Sequence, residues 1–533
     1  MLLGSDDCAI STIDRRQGDK PVAFFHNAYI QVIKGPYGYN IQVFEMDKKI
    51  MAVLAVAILL VAGVAVYVLA TSNNGNNSDK ITIKDLAKTG NYMKIMGNAN
   101  GDHLLDDADV KIIQDYIDGK TKSSDLLAVQ ESDNSKNYYL ADANCDGKVD
   151  SADITVLKGI INRTGQYMNL IDTFGHLCKV PLKIDRIACD YFATAELLNM
   201  VGVQDKIVGA SKALIVLADY YLQNVPNIDK VVNFNSRTGT NTDFEALAKA
   251  DPQIWVVSEN YGPVYGDRTN AVVVGLDTLV FDFDDVLSSS PIMSALLTGY
   301  IFNQPQKGID YVNWYLKTWN MLNDKTKNLP LSDRPTVFYT GYGGNMSMKD
   351  DGSGETYETA TKTLRYFPSN TVCWQAVQLA GGHNLIDDYP TTLDKPKRPT
   401  SNVNMDLEWL STQKWDYTFV HCTKYTGSGT MSKVVPDHGY LCDDPKEYRT
   451  AQKTLTNVSV LNNACKAENM FLTPGDFMNG ASGGLMSAII VATAIHPDLF
   501  PNLSLDKEFQ TFINLMGFNY DLSKHGTFFL NGQ

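Results

Sequence analysis

A twelve-position loop rich in side-chain oxygens occurs twice in this chain, and each copy runs directly into an amphipathic stretch. The first copy puts Asn98, Asn100, Asp102, Asp106 and Asp109 at positions 1, 3, 5, 9 and 12. The second puts Asp142, Asn144, Asp146, Asp150 and Asp153 at the same places. Leu104 and Lys148, at position 7, would each add a backbone carbonyl. A hard cation such as Ca2+ takes six or more oxygen ligands, and this spacing wraps them round one ion. The pattern therefore predicts two Ca2+ ions, each followed by a helix beginning near Val110 or Ile154. Gly147 supplies the sharp turn at position 6 of the second loop. His103 stands there in the first, and Asn98 replaces an aspartate, so the first site should be the weaker.

The rest of the chain is too long for one domain. At roughly 150 residues per domain, 533 residues predict three or four units. Hydrophobic residues are 44% and charged residues 20%, which excludes wholesale disorder and a fibrous repeat. The net charge of −14 argues against a nucleic-acid binder, which needs a basic face. Eight cysteines over this length do not make a disulfide scaffold.

Residues 50–70 are uncharged and apolar, long enough to span a bilayer core of about 30 Å. Lys48 and Lys49 precede the run and no cation follows until Lys80, which predicts a cytoplasmic N-terminus and an extracytoplasmic remainder. The run is longer than the usual apolar core of a signal peptide, which favours an uncleaved anchor at 46–70, although Val68-Leu-Ala70 would serve as a cleavage site. Met46 is a natural start for such a segment. Residues 1–45 show no clear period and are assigned no function; 71–80 read as a linker.

The two loops lack the terminal glutamate of an EF-hand and a clear preceding helix. In this they resemble the duplicated repeat of dockerins, over about residues 81–165. The resemblance implies a small all-α calcium module that binds a cohesin through loop positions 10 and 11, here Asp107, Ala108, Ser151 and Ala152. A calcium-stiffened spacer, or a module docked on its own chain, are the alternatives. The long insert from Gly119 to Tyr139 leaves cohesin geometry open.

From about Leu182 the texture is α/β. Strands are expected over Lys183–Cys189, Lys206–Ala210 and Ile254–Ser258, and a helix over Thr194–Val201. Thr242-Asp-Phe-Glu245 reads as a capping box. The stretch from Glu245 through Pro252 into a β-run is echoed by Glu408 through Trp415 into another. Two similar lobes, 180–289 and 333–533, are thus predicted, joined by a long bridging helix over 290–328.

This order resembles the substrate-binding proteins of ABC importers for iron-siderophore complexes, haem and cobalamin. The likeness is carried by LKIDRIACDYFATAELLNMVGVQDKIVGAS, NTDFEALAKADPQIWVV, LAGGHNLID and AIHPDLFPNLS. It implies an α/β, two-lobed class III-type fold with a bridging helix, a metal-chelate ligand, and a permease that grips one surface glutamate per lobe. Glu245 and Glu408 match those glutamates. Open α/β sheets bind ligands in the loops after strands. Those loops offer Tyr191, Phe192, Lys212, Arg237, Asn260, Tyr261, Tyr339, Tyr342, Trp374, His421 and Tyr425. Aromatics and cations suit a planar macrocycle or an anionic chelate. His383 and His496 are expected to pack locally.

No Gly-x-Ser-x-Gly, Walker A or His-Glu-x-x-His motif is present, so no enzyme is expected. Two other readings stand beside the receptor: a cell-surface assembly or adhesion protein that docks a cohesin, and a dockerin-borne polysaccharide hydrolase. Cys178 could pair with Cys189, and Cys422 with Cys442, outside the cell.

Overall fold

The computed structural model describes Ile83 and residues 92–131, 136–211, 214–215, 221–234, 242–258, 277–281, 290–341, 365–366, 371–389, 403–404, 406–422, 439–440, 442–457, 459–475 and 480–530, with four strands before residue 46. The chain divides into two compact units, 1–75 and 76–533. In the first, β1 (Thr12–Asp14), β2 (Val22–Phe25), β3 (Ala28–Gly35) and β4 (Gly38–Glu45) make an antiparallel meander. No period is visible in residues 1–45, but β3 and β4 pair over their full length, from Ala28 against Glu45 to Gly35 against Gly38. The 50–70 run lies outside the described residues. Among those described, no helix is long and apolar enough to cross a membrane.

The second unit opens with the duplicated-loop module. Its helices α1 (Asp107–Ile117) and α2 (Ser151–Ile161) begin at loop position 10, three residues before the expected Val110 and Ile154. Each is capped by the loop's position 9: the carboxylates of Asp106 and Asp150 accept from the N–H of Ala108 and Ala152, both at 2.7 Å. Such caps satisfy donors that the first turn of a helix leaves open. The expectation of an all-α module is corrected. The insert between the loops forms a hairpin, β5 (Ala128–Gln130) with β6 (Asn137–Tyr139). A second hairpin follows α2, β7 (Tyr167–Ile171) with β8 (Leu177–Pro181). Met96, Val129, Leu140 and Ile171 bury together, so neither helix pair nor hairpin makes the core alone.

Beyond it lie two sheets, the first parallel throughout and the second mixed. The first has the order β11 (Val232–Asn233), β10 (Ile207–Ala210), β9 (Ile187–Cys189), β12 (Ile254–Ser258), β13 (Asp277–Phe281). The expected first strand is shorter than 183–189 because its pairing starts at Ile187. Helices α3 (Phe192–Met200) and α4 (Phe244–Ala250) connect these strands. Asp243, not Thr242, is the cap of α4; its carboxylate accepts from Ala246 N–H at 2.9 Å. Trp255, Phe234 and Leu247 fill the core beneath α4.

The expected single bridging helix is two. α5 (Ser290–Ile301) and α6 (Pro305–Thr326) are separated by Asn303, which sits at φ 58°. Proline at the start of α6 has no N–H to donate and is tolerated only in a first turn. The helices then cross at glycines: a Cβ on Gly308 would lie 2.7 Å from Ala295 O, and one on Gly299 2.9 Å from Gln304 O.

The second sheet runs β17 (Val403–Asn404), β15 (Arg365–Tyr366), β14 (Thr336–Gly341), β18 (Tyr417–Cys422), β19 (Met470–Pro474), with β16 (His383–Asn384) also on β14. β14, β18 and β19 are parallel; β15 runs antiparallel to both neighbours. Helices α7 (Val372–Leu379), α8 (Leu407–Ser411), α9 (Pro445–Thr454), α10 (Ser459–Ala464), α11 (Leu485–Ile495) and α12 (Leu505–Leu515) complete the lobe. Cys178, Cys189 and Cys442 are buried free thiols, so neither of the two pairings that the sequence left open is formed.

Candidate functional site

The echo seen in the sequence is structural. α4 precedes β12, the fourth strand in the order of the first sheet, and α8 precedes β18, the fourth in that of the second. Asp406 caps α8 as Asp243 caps α4, accepting from Glu408 and Trp409 N–H at 2.9 and 3.2 Å. Leu247 and Leu410 are buried at matching positions, while Glu245 and Glu408 are exposed in the first turns. The positive end of each helix dipole suits a carboxylate in the first turn.

The carboxyl ends of β9, β10 and β12 meet at Asp190, whose carboxylate accepts from Ser258 N–H at 3.0 Å and whose carbonyl accepts from the Ser211 hydroxyl. Tyr191 follows Asp190 and starts α3. It is only 2% exposed, with its ring 4.4 Å from Phe192, which stacks on Tyr221 at 4.5 Å. The pair therefore forms packed wall. In the second lobe Tyr339 is buried and donates to Thr473 Oγ1 at 2.8 Å, and burial pushes its hydroxyl pKa well up. His421, near the end of β18, is half-buried. Trp374, in the first turn of α7, is half-buried and donates its indole N–H to Asp387 at 2.7 Å. Burial raises the Asp387 carboxyl, against that hydrogen bond. Lys212, Arg237, Asn260, Tyr261, Tyr342 and Tyr425 lie outside the described residues. His383 meets Asp388 at 2.9 Å and His496 meets Gly381 O at 3.1 Å.

The lobes are tied by a buried polar set that sequence reasoning missed. Glu196 of α3, fully buried, accepts from Ala481 N–H at 2.5 Å, and Tyr311 of α6 donates to Ala481 O at 2.5 Å. Burial, and the Glu196 charge beside it, push the Tyr311 hydroxyl well up. Asn199 Nδ2 donates to Met516 O at 2.8 Å and Oδ1 accepts from Asn224 at 2.6 Å. The available signal was Glu196 and Asn199 standing in an otherwise apolar helix, since buried charge demands partners. A cavity of about 500 Å³ lies elsewhere, along α6 by Leu316, Lys317, Met321 and Glu508, with no strand end among its described lining residues.

In the loops, hydrogen bonds repeat residue for residue. Position 3 accepts from the N–H of position 5 and position 5 from that of position 7. Asp109 and Asp153, at position 12, accept from the N–H groups of positions 3 and 9. Burial, opposed by those N–H groups, pushes Asp109 up to about 6; burial raises Asp142 and Asp153 as well. Among the described residues no three His, Cys, Asp and Glu side chains converge as a metal cluster by themselves. The donor set does fit a hard cation once the asparagines and position 7 carbonyls are counted. Asn98 Oδ1 is the clearest mark: it is fully buried and takes no hydrogen bond, while Nδ2 donates to Met93 O and Asp102 O. Gly147 takes φ 87°, as position 6 required, and position 4 is left-handed in both loops, Gly101 at 70° and Cys145 at 60°.

The model of the family described as periplasmic binding protein matches residues 187–439. It bears out a ligand-binding rather than enzymatic role for that region. A TroA-like periplasmic binding protein, FepB from Veillonella parvula, is similar in structure: TM-score 0.53, 13% identity, 68% of this chain and 99% of that one. A periplasmic solute binding protein from the same species gives 0.47, 17%, 67% and 94%, and CeuE of Helicobacter pylori gives 0.45, 12%, 67% and 98%. At these identities the likeness to FepB is one of fold: the two-lobed α/β periplasmic-binding-protein architecture. No curated protein matches the chain.

Proposed function

We propose that residues 180–533 form an extracytoplasmic solute-binding protein that captures a metal chelate, of the ferric siderophore, haem or cobalamin kind, for the permease of an ABC importer. The observation that carries this is the paired placement of Glu245 and Glu408, exposed at the same turn of the same helix in each lobe. Two anions fixed on two lobes suit a pair of cationic sockets on one partner. The family match over 187–439 supports the same reading. The chelate would sit between the strand ends, against Trp374 and the loops of Lys212, Arg237, Tyr261, Tyr342 and Tyr425, with Tyr191 in the wall behind. The 50–70 run would anchor the chain with its bulk outside the membrane.

Each loop would hold one Ca2+ through its residues at positions 1, 3, 5, 7, 9 and 12. The ion would supply charge neutralisation for carboxylates, such as Asp109, Asp142 and Asp153, whose ionised form burial disfavours.

The test is titration of the full chain, in detergent, with haem, cobalamin and ferric siderophores, read by tryptophan fluorescence. One of them should quench saturably; no response to any would overturn the receptor reading. Glu245→Arg with Glu408→Arg should leave that titration unchanged and abolish uptake.

A second reading has its own support. Asp107, Ala108, Ser151 and Ala152 are all exposed, so a cohesin-type partner could reach them. Pull-down of the full chain on a cohesin, with Ser151→Asp and Asp107→Lys as controls, separates the two.

A further inference from the structure

The module's helix starts face solvent, but another of its surfaces is taken. Leu105, at position 8 of the first loop, gives its backbone to one hydroxyl: Tyr300 of α5 accepts from Leu105 N–H at 2.9 Å and donates to Leu105 O at 3.1 Å. Just past α2, Arg163 stands at φ 55° and its guanidinium donates to the carbonyls of Tyr300 and of Ile301, the latter at 3.3 Å. Carbonyls at a helix C-terminus lack intrahelical donors and carry the negative end of the dipole, so a cation is well placed there. Near its other end α5 is held by the β7–β8 turn, where Ser294 Oγ donates to Thr173 Oγ1 at 3.3 Å. Edge β7 in turn pairs with the strand leading into the first loop: Ile171 N–H to Lys94 O at 2.8 Å and Met96 N–H to Asn169 O at 2.9 Å. Loop two joins in, since Asn169 Nδ2 donates to Ala143 O at 3.1 Å.

We propose that this surface of the module has the C-terminal half of α5 as its partner, making the module a fixed wing of the first lobe. The order of the first loop is then felt at the α5–α6 corner that joins the lobes. The path is short and stiff. Tyr300 lies one residue after Gly299, and Gly299 and Gly308 bring α5 and α6 into backbone contact. A phenol at the end of the apolar stretch SPIMSALLTGYI has no core role that phenylalanine would not fill, so its hydroxyl marks the contact.

Hydrogen exchange of the full chain in metal-free buffer tests this, comparing wild type, Tyr300→Phe and Arg163→Ala. Both variants should speed exchange at least tenfold in peptides of 98–109 as well as of 290–303, and leave β14 and β18 unchanged. Faster exchange in 290–303 alone would overturn the coupling. Leu157→Ala approaches from the other side, loosening the module core without touching α5. It too should speed exchange in 290–303, and a change confined to the module would overturn the proposal. A calcium arm rests on the calcium reading. Added Ca2+ should slow exchange in 290–303 of wild type but not of Tyr300→Phe. If calorimetry shows no calcium binding, that reading falls and the metal-free comparison still decides the coupling. If calcium binds and 290–303 of wild type does not respond, the coupling falls.

Discussion

Replacing Gly308 by alanine sets two effects of opposite sign against each other. In an exposed helix interior the change stabilises by about 1 kcal/mol, because glycine leaves more backbone freedom in the unfolded chain. At Gly308 the new Cβ would stand 2.7 Å from Ala295 O and 3.1 Å from Leu296 Cα. The obstacle is backbone, so α5 and α6 must part by several tenths of an ångström. Overpacking of that kind costs about 1–3 kcal/mol. Subtracting about 1 kcal/mol of helix propensity leaves a net loss of about 0–2 kcal/mol, where the exposed case would gain. Gly299→Ala meets Gln304 O at 2.9 Å and Gly308 N at 3.2 Å, in the same crossing. Once one methyl has separated the helices the second finds room, so the double variant should lose less than the sum of the singles, by about 0.5 kcal/mol or more. Trp314 and Trp319 are buried on α6 and report its unfolding in urea by fluorescence. A Gly308→Ala protein more stable than wild type, or strictly additive singles, would refute the close crossing.

Four further outcomes are expected from individual side chains. Asn98→Ala removes a fully buried amide that holds Met93 O and Asp102 O, and should cost about 1–3 kcal/mol in melts without calcium. Asp146→Ala, at an exposed position, should leave those melts nearly unchanged but lower calcium affinity more than Asn98→Ala does, read by calorimetry. Burial first, then the Asp142 charge, pushes the Cys145 thiol up to about 12, so it stays protonated at pH 8. Iodoacetamide mapped by mass spectrometry should modify it more slowly than free cysteine, and rapid labelling would contradict its packing. Asp243→Ala and Asp406→Ala remove equivalent caps; each should destabilise by about 0.5–2 kcal/mol, measured by urea unfolding.

What the sequence made legible was local or repeated. The two loops could be numbered position by position because a twelve-residue pattern needs no tertiary context, and their hydrogen bonds follow that numbering. The lobe echo was visible for the same reason: Glu245 and Glu408 stand at the same distance before strands that hold the same place, fourth in order, in the two sheets. Near misses came from small energy differences. Thr242 and Asp243 are both good caps, and only the backbone path decides between them. The break at Asn303 was hidden because a Pro after one polar residue also reads as a kink inside one helix. Glu196 and Tyr300 were out of reach, since their partners Ala481 and Leu105 are 285 and 195 residues away. The loops that carry Lys212, Arg237, Tyr261, Tyr342 and Tyr425 lie outside the described residues, so chemistry and the order of strands remain what recommends them.

The module's place matters for how the receptor would work. A tethered docking tag would leave its backbone groups to water and its core to itself. Here the core takes in Ile171 from the hairpin that packs beside β13, and the first loop spends its position 8 backbone on Tyr300 of α5, the first of the two bridging helices. Nothing comparable among the described residues ties it to the second sheet. A module fixed to one lobe, whose bridge to the other is a glycine-tight helix pair, moves with the first lobe. Loosening the first loop would therefore shift the α5–α6 corner before it shifts either sheet, and a ligand held between the lobes would feel calcium through that corner. Ligand affinity measured with and without calcium should differ in wild type and coincide in Tyr300→Phe. Equal affinities in wild type would mean that the wing is rigidly attached yet silent.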